Sequence, residues 1–416
     1  MGGGLLQLSA SGKQDLFLTG NPQMTYWKQI YRRYSPFAIE AVPIVFDGGP
    51  DFGKRLTAII PHSGDLLSQL ILEVQVPAPY SGTTYDVSWV NSLGHALIEE
   101  VSIEINDKQI DKQNGEFMQI WSSMTLPESR ASGFAAMIGR VRGSYNETAL
   151  PGALTLHIPL YFWFCRNPGL ALPVLAMQRS QIRINLKLRS FADLRYTPLM
   201  ATMANSSLNI PAVHINSCIL WADWVFLGVD ERRRFVKNSH DYLIEQIQMV
   251  LNNAIPAGAP TANIPMTLNC PTSEIFWVVR QDRMTVTNEW FNYGDIRIDE
   301  TGTAQDLFTS AIIKFDGQDR FQERVATYFR LVQPWQHHTA IPADMFVYMY
   351  SFSLKPESAQ PSGAVNMSRL NARNLMLNMN SLGLAARQPA CTANIYVKNY
   401  NILRIVDGRA ALLFYV

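Results

Sequence analysis

Hydrophobic and polar residues alternate one for one along much of this chain, most cleanly from Gln181 to Leu188. There Ile182, Ile184, Leu186 and Leu188 point to one side, and Arg183, Asn185 and Lys187 to the other. A period of two marks a β-strand with one face in a core and one in water. Val101–Ile105, Leu154–Ile158, Ile219–Leu227, Ile275–Val279 and Asn394–Ile405 behave similarly. A helical period takes over from Asn21 to Tyr34, where Asn21 suits a cap, Pro22 the first helical position, and Met24, Trp27, Ile30, Tyr31 and Tyr34 share a face. The 23 prolines and 25 glycines mostly punctuate the strand runs, which argues against long helices and against strand–helix alternation. An all-β fold with short loop-borne helices and an N-terminal arm follows.

The pattern is also stated twice. Ile103 to Asp111 leads into an amphipathic stretch with an aromatic at Trp121, and Ile313 to Phe321 leads into another that ends near Trp335. Each copy then reaches an apolar strand, Ile158–Cys165 or Met345–Leu354, and a Pro/Gly turn at Pro168-Gly169 or Pro361-Ser362-Gly363. Two similar units side by side produce such an echo. A chain of 416 residues supports two domains of about 200 residues, each able to bury a core without disulfides or metals. The junction is expected near Ala204–Pro211, giving an arm over 1–34, a first sandwich over 35–204 and a second over 205–416. Two-sheet jelly rolls are one way for such sandwiches to protect their edges. Gln109–Ala153 and Thr301–Ala343 are long for hairpin connections and are expected as structured excursions that carry contacts.

Composition narrows the function. With 47% hydrophobic and 17% charged residues, exposed charge is scarce and extensive burial against other subunits is expected. Lys plus Arg number 35 against 34 Asp plus Glu, so the net charge of +1 provides no footprint for a phosphate backbone. Cys165, Cys218, Cys270 and Cys391 are scattered without paired spacing and suit buried free thiols. Met1–Leu6 has neither the pattern of a secretory signal nor that of myristoylation, and no run is long enough to span a bilayer. Sequons at Asn146, Asn205 and Asn366 therefore read as chance.

Catalytic chemistry is hard to find. Gly48–Lys54 has the spacing of a phosphate loop, but Arg55 stands where the magnesium-binding hydroxyl belongs and a strand follows instead of a helix. His337 and His338 are adjacent, so in an extended segment they diverge, and loop surface suits them. Glu99-Glu100 and Asp299-Glu300 read as solvated strand ends. Arg232, Arg233 and Arg234 follow Asp230-Glu231 and read as an ion-paired surface or an intersubunit contact. No cofactor or metal set is expected, and no enzyme.

Five segments carry a specific resemblance: Leu18–Tyr34 (LTGNPQMTYWKQIYRRY), Asn167–Gln178 (NPGLALPVLAMQ), Glu231–Phe235 (ERRRF), Tyr350–Gly363 (YSFSLKPESAQPSG) and Asn399–Ile405 (NYNILRI). Across essentially its whole length the chain resembles the major capsid proteins of large nucleocytoplasmic double-stranded DNA viruses, nearest the algal and amoebal branch. The resemblance implies two tandem eight-stranded jelly rolls and a homotrimer whose six sandwiches form a pseudo-hexagonal capsomer. It also implies contacts with neighbouring capsomers, minor capsid proteins and a penton protein, an internal membrane nearby, and no direct binding of nucleic acid. Such a protein is expected in the virion, assembled in the host cytoplasm. On this correspondence the two excursions are candidates for outer loops, and Tyr26, Trp27 and Tyr31 for anchoring at the inner face. Two rivals from other classes are a glycan-binding sandwich using Trp335 or Trp290, and a double jelly-roll hydrolase of the glycan-releasing amidase kind, which needs converging carboxylates.

Overall fold

The computed structural model describes residues 3–24, 31, 33–80, 86–141, 152–201, 210–297, 300, 302–343, 345–380 and 389–414. Its contacts separate Met1–Phe37 from Ala38–Val416. In the first unit, short helices occupy Gly3–Ser9 and Leu16–Thr19, and Leu5, Leu6, Leu8, Phe17 and Leu18 are exposed. The helix expected from Asn21 falls mainly on 25–30 and 32, outside the described residues. Residues 21–24 are not helical, and Asn21 takes φ 56° instead of the extended backbone of a cap.

The second unit holds two sandwiches of eight main strands. The first sandwich contains β1 (Phe37–Val45), β2 (Arg55–Ile59), β3 (Leu66–Val76), β4 (Ile98–Ile105), β5 (Lys108–Gln113), β6 (Leu154–Pro159), β7 (Ile182–Leu188) and β8 (Ser217–Leu227). They form sheets ordered β1-β8-β3-β6 and β2-β7-β4-β5. The second sandwich contains β9 (His240–Ile255), β10 (Thr261–Pro265), β11 (Pro271–Gln281), β12 (Phe308–Phe315), β13 (Gln318–Asp319), β14 (Tyr348–Ser351), β15 (Arg373–Met379) and β16 (Cys391–Val406). Its main sheet paths run β9-β16-β11-β14 and β10-β15-β12-β13. The strand order is the same in both. These are tandem jelly rolls, and the echo in the sequence is one hairpin built twice. Asn106 and Asp107 turn β4 into β5 with φ 53° and 61°, and Asp316 and Gly317 turn β12 into β13 with φ 49° and 83°. Positive φ at both central residues is what a tight hairpin needs, and Asn, Asp and Gly tolerate it.

Tertiary pairing corrects several local expectations. Ser217–Leu227, expected to open the second sandwich, pairs antiparallel with β3 and buries Cys218, Leu220, Ala222 and Trp224 in the first core. Alternation identifies a strand but not the sheet it joins. The run from Ile158 stops being a strand at Pro159 and coils into a helical turn at Trp163–Arg166. Within Met345–Leu354, only Tyr348–Ser351 is strand.

The two sandwiches share material. β9 and β16 are each 16 residues long and pair from His240↔Ile405 to Ile255↔Cys391. Ile244, Leu403 and Ile405 at one end pack in the first core, whereas Ile247, Ile255, Cys391 and Ile395 pack in the second. The final hairpin ties back as well: Arg179 N donates to Gly408 O at 2.9 Å, and Ala410 N to Ser180 Oγ at 3.0 Å.

Candidate functional site: the seam between the sandwiches

Much of the seam is built by α1 (Gly115–Thr125), with α2 (Glu128–Ile138) following it. Asn114 caps α1, its side-chain oxygen accepting from Phe117 N at 2.8 Å. Gly115 is required because a Cβ there would lie 1.8 Å from the carbonyl oxygen of His95. The excursion expected as an outer loop is therefore, in its first half, a buried helix. Phe117, Ile120, Trp121 and Met124 belong to the core of the second sandwich although the first sandwich supplies them.

Trp121 lies under two cations, Arg166 with Cζ 4.5 Å from the ring centre and Lys398 with Nζ 4.9 Å away. Each cation meets a carboxylate: Arg166 Nη1 lies 2.8 Å from Glu245, and Lys398 Nζ lies 3.2 Å from Glu245 and 2.9 Å from Glu274. His338 closes the chain, with Nε2 2.9 Å from Glu274 and Nδ1 2.9 Å from Glu357. The side chains of Lys398, Glu274 and His338 are completely buried. Three cations face three carboxylates, so the network is neutral when His338 is protonated.

Proton affinities follow from that geometry. Burial pushes the Glu274 carboxyl up, but Lys398 and His338 more than offset it and hold the group at about 2. Burial pushes His338 down, and Glu274 and Glu357 carry it instead to about 9. Lys398 is raised as well, the carboxylates of Glu274 and Glu245 outweighing its desolvation. Nearby, Glu116 on α1 accepts from the hydroxyls of Tyr396 and Tyr293 and from Asn394, with Arg280 at 3.5 Å. His95, buried against Gln119, is pushed down to about 4 by desolvation. A cavity of about 710 Å³ opens beside this region, lined among others by Gln119, Arg140, Asn288, Arg297 and Phe346. Its carboxylates are engaged: Glu300 with Arg283 at 2.6 Å, and Glu289 with Asn292 at 2.7 Å.

The residues singled out in the sequence lie elsewhere. Tyr26 and Trp27 are outside the described residues, and Tyr31 is exposed. Arg232, Arg233 and Arg234 lie on α3 (Val229–Lys237), which buries none of its residues. Arg232 is committed within the chain, its Nε 2.8 Å from the buried Asp65 carboxylate, whereas Arg233 and Arg234 are exposed. Trp335 is 70% exposed on α4 (Gln333–His337), and Trp290 lies half-buried under the guanidinium of Arg189. His338 overturns the loop-surface expectation. Its neighbours Glu274 and Lys398 face each other across β11 and β16, which no local pattern reports. A lysine following the apolar run Ile395–Val397 inside a strand was the available signal. Cys218, Cys270 and Cys391 are buried free thiols and Cys165 is half-buried. Asn146 and Asn205 are outside the described residues, while Asn366 is exposed and accepts from Ser368 N. Among the described residues no cluster of three or more His, Cys, Asp or Glu could hold a metal. No described helix is long and apolar enough to cross a membrane.

Comparison with known proteins divides the chain where the structure does. Residues 25–228 match the model for the major capsid protein N-terminus, and 231–411 the model for the large eukaryotic DNA virus major capsid protein. The major capsid protein of Pyramimonas orientalis virus is 34% identical, with both chains covered in full. That of Paramecium bursaria Chlorella virus 1 is 32% identical, again over both full lengths. Among solved structures, a crystal structure of PBCV-1 VP54 fitted into a reconstruction of the virophage Sputnik superposes with TM-score 0.79 at 28% identity, over 94% of this chain and 100% of that one. The Faustovirus major capsid protein shares the fold at TM-score 0.74 and 14% identity, over 95% and 94% of the two chains. Full-length identity above 30%, with matching models on both sandwiches, means that this chain belongs to the major capsid protein family of the large eukaryotic DNA viruses.

Proposed function

We propose that this chain is the tile of an icosahedral viral shell, acting as a homotrimer whose six sandwiches make a pseudo-hexagonal capsomer. The observation that carries the reading is the repeated strand order: one chain supplies two blocks of the same topology, so three chains supply six. Three copies related head to tail close a ring through heterologous contacts, and a near-sixfold outline tiles flat facets. Each capsomer is then held by several neighbours at once, so individually weak contacts suffice. The function is geometric and needs no cofactor or catalytic step. The hydrolase alternative asks for converging carboxylates, and Glu245, Glu274 and Glu357 do converge, but each is matched to a cation.

Within this reading the protein resides in the virion after assembly in the host cytoplasm, beside minor capsid and penton proteins and near an internal membrane. On this reading the first sandwich ends with β8 at Leu227 and the second begins with β9 after α3. Tyr26, Trp27 and Tyr31 of the arm anchor the inner face, and Arg233 and Arg234 are available to a neighbouring subunit. Light scattering on the purified full chain tests the central claim. The expected mass is three times 46.9 kDa, and a monomer at micromolar concentration refutes it.

A further inference from the structure

Each sandwich is completed by residues that belong, by chain order, to the other. The first gives Phe117, Ile120, Trp121 and Met124 of α1 to the second core, and α1 follows β5 directly. The return comes from much farther along the chain. Ile244 of β9, Leu403 and Ile405 of β16, and Ala410 beyond it are all buried in the first core. The strand Arg409–Leu412 folds back on the end of β16, pairing from Val406↔Arg409 to Leu403↔Leu412. The contacts of the chain reflect this exchange, since residues 38–416 form one compact unit and not two.

Three turns meet where that hairpin docks. Asn106 Nδ2 donates to Ser180 Oγ at 3.1 Å, and Gln181 N donates to Asn106 Oδ1 at 3.1 Å, which ties the β4–β5 turn to the segment entering β7. Ser180 is buried, and its Oγ also accepts from Ala410 N at 3.0 Å, while Arg179 N donates to Gly408 O at 2.9 Å. The hairpin itself turns at Asp407-Gly408, with φ 50° and 80°. A Cβ on Gly408 would lie 3.3 Å from Arg179 Cγ, tighter than an ordinary van der Waals contact. The Asp316-Gly317 turn has the same residue types and φ 49° and 83°, yet a Cβ on Gly317 would meet no atom within 4 Å. One Asp-Gly turn is docked on the other sandwich and its twin is open.

We infer that the 403–412 hairpin is a latch: the first sandwich is sealed by a segment that arrives only after the second sandwich has folded, so the two become stable together. Ser180 and Ala410 are 230 positions apart in sequence. The entropy cost of closing so long a loop precedes any gain from the contact, unless β9 has already paired with β16 and carried the segment back. A chain whose second sandwich is unfolded then holds an unfinished first core, short of four buried apolar side chains. The inference concerns folding within one chain and stands apart from the capsomer reading.

Hydrogen exchange read by mass spectrometry on the full chain tests it, with Gly408→Val and Gly317→Val as a matched pair that each put a β-branched residue at positive φ. Gly408→Val is expected to lower the protection of β4 and β7 at least about tenfold more than Gly317→Val does. Equal losses, or wild-type protection of β4 and β7 in Gly408→Val, overturn the latch. The wild type alone provides a second measurement if a variant does not fold. During refolding from urea, with exchange pulses at successive times, β4 and β7 should gain full protection in the same phase as the 403–412 hairpin and no earlier than β11. Full protection of β4 and β7 while the hairpin and β11 still exchange freely overturns the inference. The same order should hold at about tenfold lower protein concentration, because the contact is intramolecular; an order that changes with concentration assigns the coupling to assembly and overturns the latch as well.

Discussion

The outer faces of β9-β16-β11-β14 and β1-β8-β3-β6 share a strand order but not a chemistry. The first is covered by α1 and carries Glu274, Lys398 and Asn394 in its buried row, whereas the second is open among the described residues and mixes Ile39, Val45, Ile71 and Trp221 with Gln69, Glu73, Gln75, Thr155, His157 and Asp223. Solvent exposure alone would not place lysine and glutamate on the covered face. Burying charge costs several kcal/mol per ion, recovered only when geometry is good and every group is partnered. The seam inside one chain meets that condition, because its partners are held at fixed positions by covalent connection and by two strands that serve both cores. An open face makes no such demand, because its polar groups keep their water.

That comparison breaks most readily at the two exposed or buried tryptophans. Trp121→Ala is expected to destabilise the chain by about 3–5 kcal/mol, since it empties a core site and removes the ring beneath Arg166 and Lys398. Trp335→Ala, in chain diluted to monomer, should fall within about 0.5 kcal/mol of wild type. Urea unfolding of the two variants side by side measures the difference, and equal losses would place the helices in equivalent environments.

Lys398→Met sharpens the role of charge in the seam. It strands Glu274 without its lysine and should cost about 3–5 kcal/mol, part of which returns on adding Glu274→Leu. If the double variant is no better than the single, the ion pair is not what the site depends on.

The pH profile of thermal stability reads the same network. His338 rises from 6.5 to about 9 on folding, so its contribution is complete below pH 6.5 and disappears as pH climbs through about 9. Glu274 falls from 4.5 to about 2, so its contribution is complete above pH 4.5 and fades as pH drops toward about 2. The melting temperature should therefore be flat between those inner limits and decline on both sides. His338→Gln should abolish the alkaline limb; a limb that survives belongs to another group. The smallest effect is expected on the charged outer face, where Lys187→Met loses a half-exposed pair with Glu99 and should cost less than about 1 kcal/mol in urea.

Strand periodicity, the repeated pattern and the all-β class were legible in the sequence because they depend on short segments. Asn106-Asp107 and Asp316-Gly317 announce their turns by chemistry alone. What joins what was not legible. Ser217–Leu227 reads as a fresh strand wherever it pairs, and only the register with β3 assigns it to the first sandwich. The amphipathic stretch around Trp121 looks like any excursion until the second sandwich is present to receive it.

By itself, then, the chain determined which strand residues turn inward, that its pattern is stated twice and to which family it belongs, since these are properties of short segments. Only the tertiary structure decided that α1 belongs to the neighbouring core and that His338 is a buried cation. Those facts depend on side chains brought together from distant parts of the chain, as Trp121, Glu274, His338 and Lys398 are, and no local pattern encodes such a meeting.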